Sequence, residues 1–104
     1  NVILDRNRIQ NDDFCEAQMR MFDIPAKWKA FGWNVKEIDG HDMDEVVQGM
    51  QFLSNSNDGP SILIANTVKG HGVSFMANNP AFHGAAPNDD QYAQAMKELG
   101  EVVG

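Results

Sequence analysis

The sequence predicts an α/β fold built on a parallel sheet with helices on both faces. Three short segments of strand length alternate with segments that have helical periodicity. Continuous apolar strands are typical of parallel sheets, because helices cover these sheets on both sides. Strands that alternate with helices also imply right-handed crossover connections. The predicted order of elements is strand, loop, helix, strand, helix, strand, loop, helix.

Polar and turn residues bound the three predicted strands, which cover residues 2–4, 33–38 and 61–65. The first and third contain continuous apolar runs, and such runs predict strands that are buried on both faces. Only Asn1 precedes the first run, although chain termini normally lie in solvent. We therefore expect the chain to be a fragment or one subunit of a split protein. Residues 6–22 show no clean period and predict an irregular loop.

A residue suited to capping marks the start of each predicted helix. Asp23 precedes the first, where Pro25 is tolerated in the first turn, and Gly32 ends it. The second and third begin with Asp-x-x-Glu and Asn-x-x-Gln patterns, in which the two side chains can each accept a backbone N–H. These pairs are Asp42 with Glu45 and Asn88 with Gln91.

The apolar residues of these segments recur at helical spacing and predict the faces that pack on the sheet. The first helix has the stripe Ile24, Trp28 and Phe31. The second has Met43, Val46, Val47, Met50 and Leu53, and its methionines are predicted to belong to the core. The last has Tyr92, Ala95, Met96 and Leu99.

Composition excludes several classes of protein. A chain of 104 residues fits one domain or part of one. Eight basic against fifteen acidic residues, a net charge of −7, argue against a nucleic-acid surface. No apolar run approaches the ~20 residues of a membrane span, so a cytoplasmic location is expected. The single cysteine, Cys15, excludes an internal disulfide framework and a cysteine-based zinc site.

Ligands of parallel α/β sheets gather at the carboxyl ends of the strands. That rule selects three segments: Asp5 to Gln10, Asp39 to Asp42, and Thr67 to His83. In the first, Asp5 and Asn7 carry hard oxygen atoms of the kind that Mg²⁺ prefers, although a polar turn would have the same composition. In the second, the residues DGHD are best explained as a turn followed by a helix cap.

The third segment contains two features that suit a phosphate. Lys69 stands beside glycine in the sequence KGHG, where the backbone can approach a phosphate and the ammonium supplies charge. His83 lies between Pro80 and Pro87, and a loop histidine can hydrogen-bond phosphate or transfer a proton. An ordinary turn and a solvent-facing histidine are the alternatives. No serine or cysteine has the neighbours of a nucleophile, so a bound cofactor is expected to carry the difficult chemistry.

Three stretches together resemble the N-terminal domain of transketolases, which bind thiamine diphosphate. They are DRNRIQ, WKAFGWNVKEIDGHD and PSILIANTVKGHGVSFMANNPAFHGAAP. The last is similar above all to the N-terminal subunit of split bacterial transketolases. The resemblance covers residues 1 to about 99, and it implies that residues 1–104 are the second half of that domain, with no internal boundary.

The resemblance also implies roles for individual residues. The Asn7 side chain and the Ile9 carbonyl would bind Mg²⁺, and Asn7 would lie near the diphosphate. Lys69 would reach the cofactor. His83 would contact both the diphosphate and the sugar substrate, and it is the candidate catalytic residue. Asn66 departs from the pattern, because a lysine is usual there.

The implied reaction moves a two-carbon ketol unit from a ketose phosphate to an aldose phosphate. Two motif residues of the family, the aspartate of its GDG sequence and the glutamate that activates the cofactor, lie outside these 104 residues. We therefore expect the isolated chain to be inactive and to act with other segments or subunits in a homo- or hetero-oligomer. A 1-deoxyxylulose-5-phosphate synthase-like enzyme and a non-catalytic structural subunit related to transketolase are the alternatives.

Overall fold

A computed structural model describes the backbone of residues 1–103 and the side chains of residues 1–100. Three strands form a parallel sheet in the order β1-β5-β4, which confirms the predicted α/β class with a parallel sheet and helices. A 3-10 helix covers Pro80–Phe82. The other elements, in chain order, are β1 (Val2–Arg6), β2 (Ile9–Gln10), β3 (Asp13–Phe14), α1 (Cys15–Gln18), α2 (Ile24–Ala30), β4 (Asn34–Asp39), α3 (Met43–Asn55), β5 (Ser61–Asn66) and α4 (Asp89–Val103).

The central strand β5 is buried, whereas β1 is partly exposed. Residues 61–64 of β5 are at most 2% exposed, as expected for a strand with a neighbour on each side. In β1, Val2 is 37% and Ile3 54% exposed, so the prediction of burial on both faces is wrong for this strand. The physical reason is its place at the edge of the sheet, where β5 is its one partner among the described residues.

The core under α3 consists of Ile38, Leu53 and Leu63. Gly49 of α3 lies so close to the sheet that a Cβ atom there would stand 2.7 Å from Leu63 Cδ2. Val46 packs against the same core, but three other residues of the predicted stripe are exposed: Met43, Val47 and Met50. The prediction that both methionines are core residues is therefore wrong, because the inward face of α3 runs through Gly49.

The predicted helix starts are confirmed by their hydrogen bonds. Asp23 Oδ1 accepts from the Ala26 N–H at 2.9 Å. The backbone N–H of Asn88 donates to Gln91 Oε1 at 3.0 Å, and the Gln91 N–H donates back to Asn88 Oδ1 at 2.9 Å. These bonds satisfy N–H groups that have no partner inside the helix.

The start of α3 differs in one detail. Asp42 Oδ1 accepts from the N–H groups of Asp44 and Glu45, as a capping residue should. Glu45, however, accepts from the Asp39 N–H at 2.7 Å rather than closing a box with Asp42. Its side chain thereby ties the first turn of α3 to the end of β4.

Residues 6–22 are more ordered than the sequence predicts. β2 and β3 form an antiparallel hairpin, in which Ile9 pairs with Phe14 and Gln10 with Asp13, and α1 follows directly. Two-residue strands are too short to show a period of two, so the pattern gave no signal for them. The prediction of an irregular loop is wrong for this segment.

The chain forms two compact units. The first contains residues 1–6 and 21–67, hence the parallel sheet with α2 and α3. The second contains residues 7–20 and the chain from Val68 onward, hence the hairpin and α4. That residues 1–104 are the second half of a cofactor domain without an internal boundary stays a prediction.

Candidate functional site

Asn7 begins a tight turn in the second unit. The backbone N–H of Ile9 donates to Asn7 Oδ1 at 3.0 Å, and both residues are half-buried. Arg8 between them has a φ of +63°, and its carbonyl accepts from the Cys15 N–H at 2.9 Å. The Asn7 amide oxygen is thus held over the start of the hairpin, and its second lone pair is suited to a hard cation.

Lys69 belongs to a closed loop. Its carbonyl accepts from the Asn78 N–H at 2.8 Å, which joins the two ends of the loop. Gly70 has a φ of +74°, and a Cβ atom there would stand 2.5 Å from the Met76 carbonyl oxygen. The loop therefore requires glycine at this position for its own closure. Among residues 1–100, neither a salt bridge nor a side-chain hydrogen bond engages the Lys69 ammonium.

His83 follows the 3-10 helix directly. Its backbone N–H donates to the Pro80 carbonyl at 3.0 Å, and its side chain is exposed. Asn79 fixes the start of this helix, because its Oδ1 accepts from the Ala81 N–H and its Nδ2 donates to the Phe75 carbonyl. The rings of Phe75 and Phe82, with centroids 5.5 Å apart, brace the same segment. The imidazole is thus carried by a supported turn.

All four predicted site residues lie in the second unit: Asn7, Ile9, Lys69 and His83. Within this unit, β3 contacts the 3-10 helix that precedes His83. The hairpin that starts with the Asn7 turn and the turn that carries His83 are therefore neighbours.

Asp5, unlike these four residues, lies in the first unit. Its Oδ1 accepts a hydrogen bond from the Thr67 hydroxyl, between the carboxyl ends of β1 and β5. Beside it, Arg6 forms an ion pair with Glu37 at 3.2 Å, and Asn66 Nδ2 donates to the same Glu37 oxygen at 3.0 Å. Sequence reasoning missed Glu37, because no local pattern links residues on three strands.

The DGHD segment is a turn and a helix cap, as the sequence indicates. Asp39 Oδ1 accepts from the His41 N–H at 2.9 Å, and Asp42 caps α3. Over the described part of the chain, no three His, Cys, Asp or Glu side chains are grouped so that they could hold a metal ion. A metal here would depend on amide and carbonyl oxygens and on the ligand's own phosphates, and Asn7 and Ile9 fit that donor set.

A second contact that the sequence did not predict joins the Lys69 loop to α4. Both Ser74 donors, the backbone N–H and the hydroxyl, reach the Glu98 carboxylate at 2.6 Å. These two bonds, with a third from Gln94, hold the pKa of Glu98 below its ordinary value. Among residues 89–100 of α4 the buried residue is Ala95, whereas Tyr92, Met96 and Leu99 of the predicted stripe are 40–59% exposed.

Comparison with known proteins decides the family. Residues 1–102 match the family model described as transketolase, thiamine diphosphate binding domain. The chain belongs to this transketolase family. The resemblance to transketolases that the three sequence stretches indicated is therefore confirmed. No helix among the described residues of this transketolase-family chain is long and apolar enough to cross a membrane.

Relatives include proteins named as transketolase subunits and proteins named simply as transketolase. The chain is 35% identical over 102 residues to one of the subunits of the apulose-4-phosphate transketolase of Phocaeicola vulgatus, covering 98% of this chain and 36% of that protein. It is 34% identical over 95 residues to 6-deoxy-6-sulfo-D-fructose transketolase subunit SqwG of Clostridium sp., covering 91% and 34%. For Homo sapiens transketolase the identity is 28% over 98 residues, covering 94% and 15%.

Solved structures show the same fold. The transketolase of Campylobacter jejuni superposes with a TM-score of 0.84 at 23% identity, covering 95% of this chain and 16% of that one. The chain thus spans about a third of the two relatives named as subunits and about a sixth of the human and Campylobacter jejuni transketolases.

Proposed function

We propose that this transketolase-family chain is part of a transketolase that transfers a two-carbon ketol unit from a ketose phosphate to an aldose phosphate. The family match over residues 1–102 carries the proposal. It is supported by the turns that hold Asn7, Lys69 and His83 within one compact unit. The names of two relatives specify apulose-4-phosphate and 6-deoxy-6-sulfo-D-fructose, so sugars of this kind are the substrate class that we propose to test.

In this proposal the chain binds Mg²⁺ and the cofactor diphosphate. The Asn7 amide oxygen and the Ile9 carbonyl would hold Mg²⁺, because hard oxygen donors suit this ion. The Lys69 ammonium, which has no salt bridge among residues 1–100, would neutralise diphosphate oxygens. Bound thiamine diphosphate supplies the carbanion chemistry of C–C cleavage.

His83 would orient the substrate. Its exposed imidazole, on a backbone fixed by Pro80 and Asn79, can hydrogen-bond an oxygen of the sugar near its reacting end. A backbone turn that is already fixed loses little entropy when the substrate binds. Two relatives are named as subunits, so we propose that further subunits or segments complete the enzyme.

The test uses the complete enzyme that contains this chain. Thiamine diphosphate binding is titrated by calorimetry at several Mg²⁺ concentrations for wild type, Asn7→Ala and Gln10→Ala. We expect Asn7→Ala to weaken the Mg²⁺-dependent affinity by about 1–3 kcal/mol, as for a lost ligand or hydrogen bond to a charged group.

Gln10→Ala is the matched control, because Gln10 is exposed on the same hairpin. It should leave the affinity within about 0.5 kcal/mol of wild type. Melting curves without cofactor separate binding from folding. Unchanged affinity in a normally folded Asn7→Ala protein would show that Asn7 is a turn residue only.

A further inference from the structure

We propose that Glu98 is a positioning residue for Lys69: it holds the loop that presents the lysine to the cofactor diphosphate. The inference rests on the proposed function, in which Lys69 binds the diphosphate, and it assigns a part in that site to α4. Glu98 itself would not touch the cofactor.

The Glu98 carboxylate accepts hydrogen bonds from the loop and from its own helix. Ser74 donates its backbone N–H to Oε2 and its hydroxyl to Oε1, both at 2.6 Å. Gln94, one turn earlier on α4, donates to Oε1 at 2.8 Å and to the Ser74 hydroxyl at 3.3 Å. Charge-assisted hydrogen bonds of this kind are stronger than neutral ones. Three donors, two from Ser74 and one from Gln94, thus converge on the Glu98 carboxylate and hold Ser74 against α4.

Backbone hydrogen bonds connect the residues around Ser74 to Lys69. Val73, which is 7% exposed, donates its N–H to the Gly70 carbonyl at 3.2 Å and accepts from the Ala77 N–H at 3.0 Å. The next residue, Asn78, donates to the Lys69 carbonyl at 2.8 Å. A shift of Ser74 therefore moves the turn that closes on Lys69.

Gly72 marks a second place where the loop and α4 lie close together. A Cβ atom at Gly72 would stand 3.4 Å from Leu99 Cδ2, which is ordinary contact distance. Glu98 thus binds the loop through polar groups at Ser74, and the Leu99 side chain lies close to Gly72. Leu99 is not altered when Glu98 is changed, so we expect loss of the carboxylate to loosen the loop without detaching it.

Glu98→Gln is the sharpest change, because it keeps the shape of the side chain and its helix propensity. An amide has one acceptor oxygen, whereas both carboxylate oxygens accept in this structure. At least one donor from Ser74 or Gln94 then faces an NH₂ group. Ser74→Ala is the second variant, since it removes the hydroxyl and leaves the backbone N–H.

The experiment is a double-mutant cycle in the complete enzyme, with thiamine diphosphate affinity at fixed Mg²⁺ as the readout. We expect Glu98→Gln to weaken affinity about threefold to tenfold when Lys69 is present. In a Lys69→Met background the same change should cost less than about twofold, because the positioned group is gone. Ser74→Ala should follow the same pattern, and it decides the matter if Glu98→Gln does not fold.

Asp90→Asn is the control, since it removes a carboxylate charge from an exposed position of the same helix. It should leave affinity unchanged in both backgrounds. Equal losses from Glu98→Gln with and without Lys69, or no loss at all, would overturn the positioning role while Lys69 keeps its place in the proposed site. If Lys69→Met alone has no effect, the role of Lys69 in the proposed function fails, and this inference fails with it.

Discussion

Glu98 receives both hydrogen-bond donors of Ser74 on its two carboxylate oxygens, each at 2.6 Å. The side-chain bond from Ser74, then its backbone bond and the bond from Gln94, lower the pKa of Glu98. All three bonds favour the ionised form, because a carboxylate accepts where a protonated acid would have to donate. The loop of residues 69–78 is consequently joined to α4 by an interaction that depends on pH.

Acidification should therefore loosen this connection. A group with a lowered pKa in the folded state contributes stability above its unfolded pKa and loses it as pH falls through the folded value. We expect the difference in melting temperature between wild type and Glu98→Gln to be largest near neutral pH and to shrink as pH falls through the lowered folded-state pKa of Glu98. Thermal melts of the complete protein without cofactor, recorded across that range, measure it. A difference that stays constant down to the lowest pH would contradict the prediction.

Gly70→Ala should be strongly destabilising for two separate reasons. The φ of +74° is unfavourable for any residue with a Cβ, and that atom would also stand 2.5 Å from the Met76 carbonyl oxygen. Gly32 is the matched control, because its φ is +82° but nothing lies within 4 Å of a Cβ there. We expect about 1–2 kcal/mol for Gly32→Ala and more than about 3 kcal/mol for Gly70→Ala in urea denaturation. Similar losses for both variants would show that the loop accommodates the methyl group.

Gly49→Ala tests the close approach of α3 to the sheet. A Cβ at Gly49 would lie 2.7 Å and 2.8 Å from the two Leu63 methyl carbons, whereas nothing lies within 4 Å at Gly100 of α4. Overpacking typically costs about 1–3 kcal/mol, which outweighs the gain of up to about 1 kcal/mol from replacing a helical glycine by alanine. We expect Gly49→Ala to destabilise the protein and Gly100→Ala to be neutral or stabilising in denaturation experiments. Adding Leu63→Val should recover part of the loss at Gly49, and failure to recover any would argue against this contact.

Much of the fold could be predicted from the sequence, because helix caps and strand ends depend on residues that are close together in the chain. Asp23, Asp42 and Asn88 begin helices as their side chains indicate. The inward face of α3 could not be predicted by apolar spacing, since a glycine occupies the position of closest approach. The exposed face of β1 was also missed, because sequence periodicity does not show where a strand stands in its sheet.

The residues of the candidate site also fall into those that the sequence predicts and those that it does not. Asn7, Lys69 and His83 stand out because their residue types and loop positions suit Mg²⁺ and phosphate. Glu98 carries no such signal: it lies 24 residues from Ser74, and only the fold brings their polar atoms together. A contact between residues so far apart in the chain leaves no local sequence motif.

His83 provides the most direct test of the proposed chemistry. If the imidazole orients the substrate, His83→Ala should lower kcat/KM for the donor ketose more than it lowers cofactor affinity. Removing one oriented hydrogen-bond donor near developing charge typically costs about 10²-fold or more in rate. A loss in cofactor binding alone could be overcome by adding cofactor, whereas a loss of transition-state stabilisation could not.

The measurement is steady-state kinetics of the complete enzyme at saturating thiamine diphosphate and Mg²⁺. His83→Gln is the informative companion, because its amide keeps a hydrogen-bond donor but cannot transfer a proton as imidazole does. Partial activity in His83→Gln would favour orientation of the substrate, whereas equal losses in both variants would favour proton transfer. The side chain is exposed, so a role confined to solvent would cost less than about 0.5 kcal/mol, or about threefold in rate. A rate within that limit for His83→Ala would remove His83 from the site.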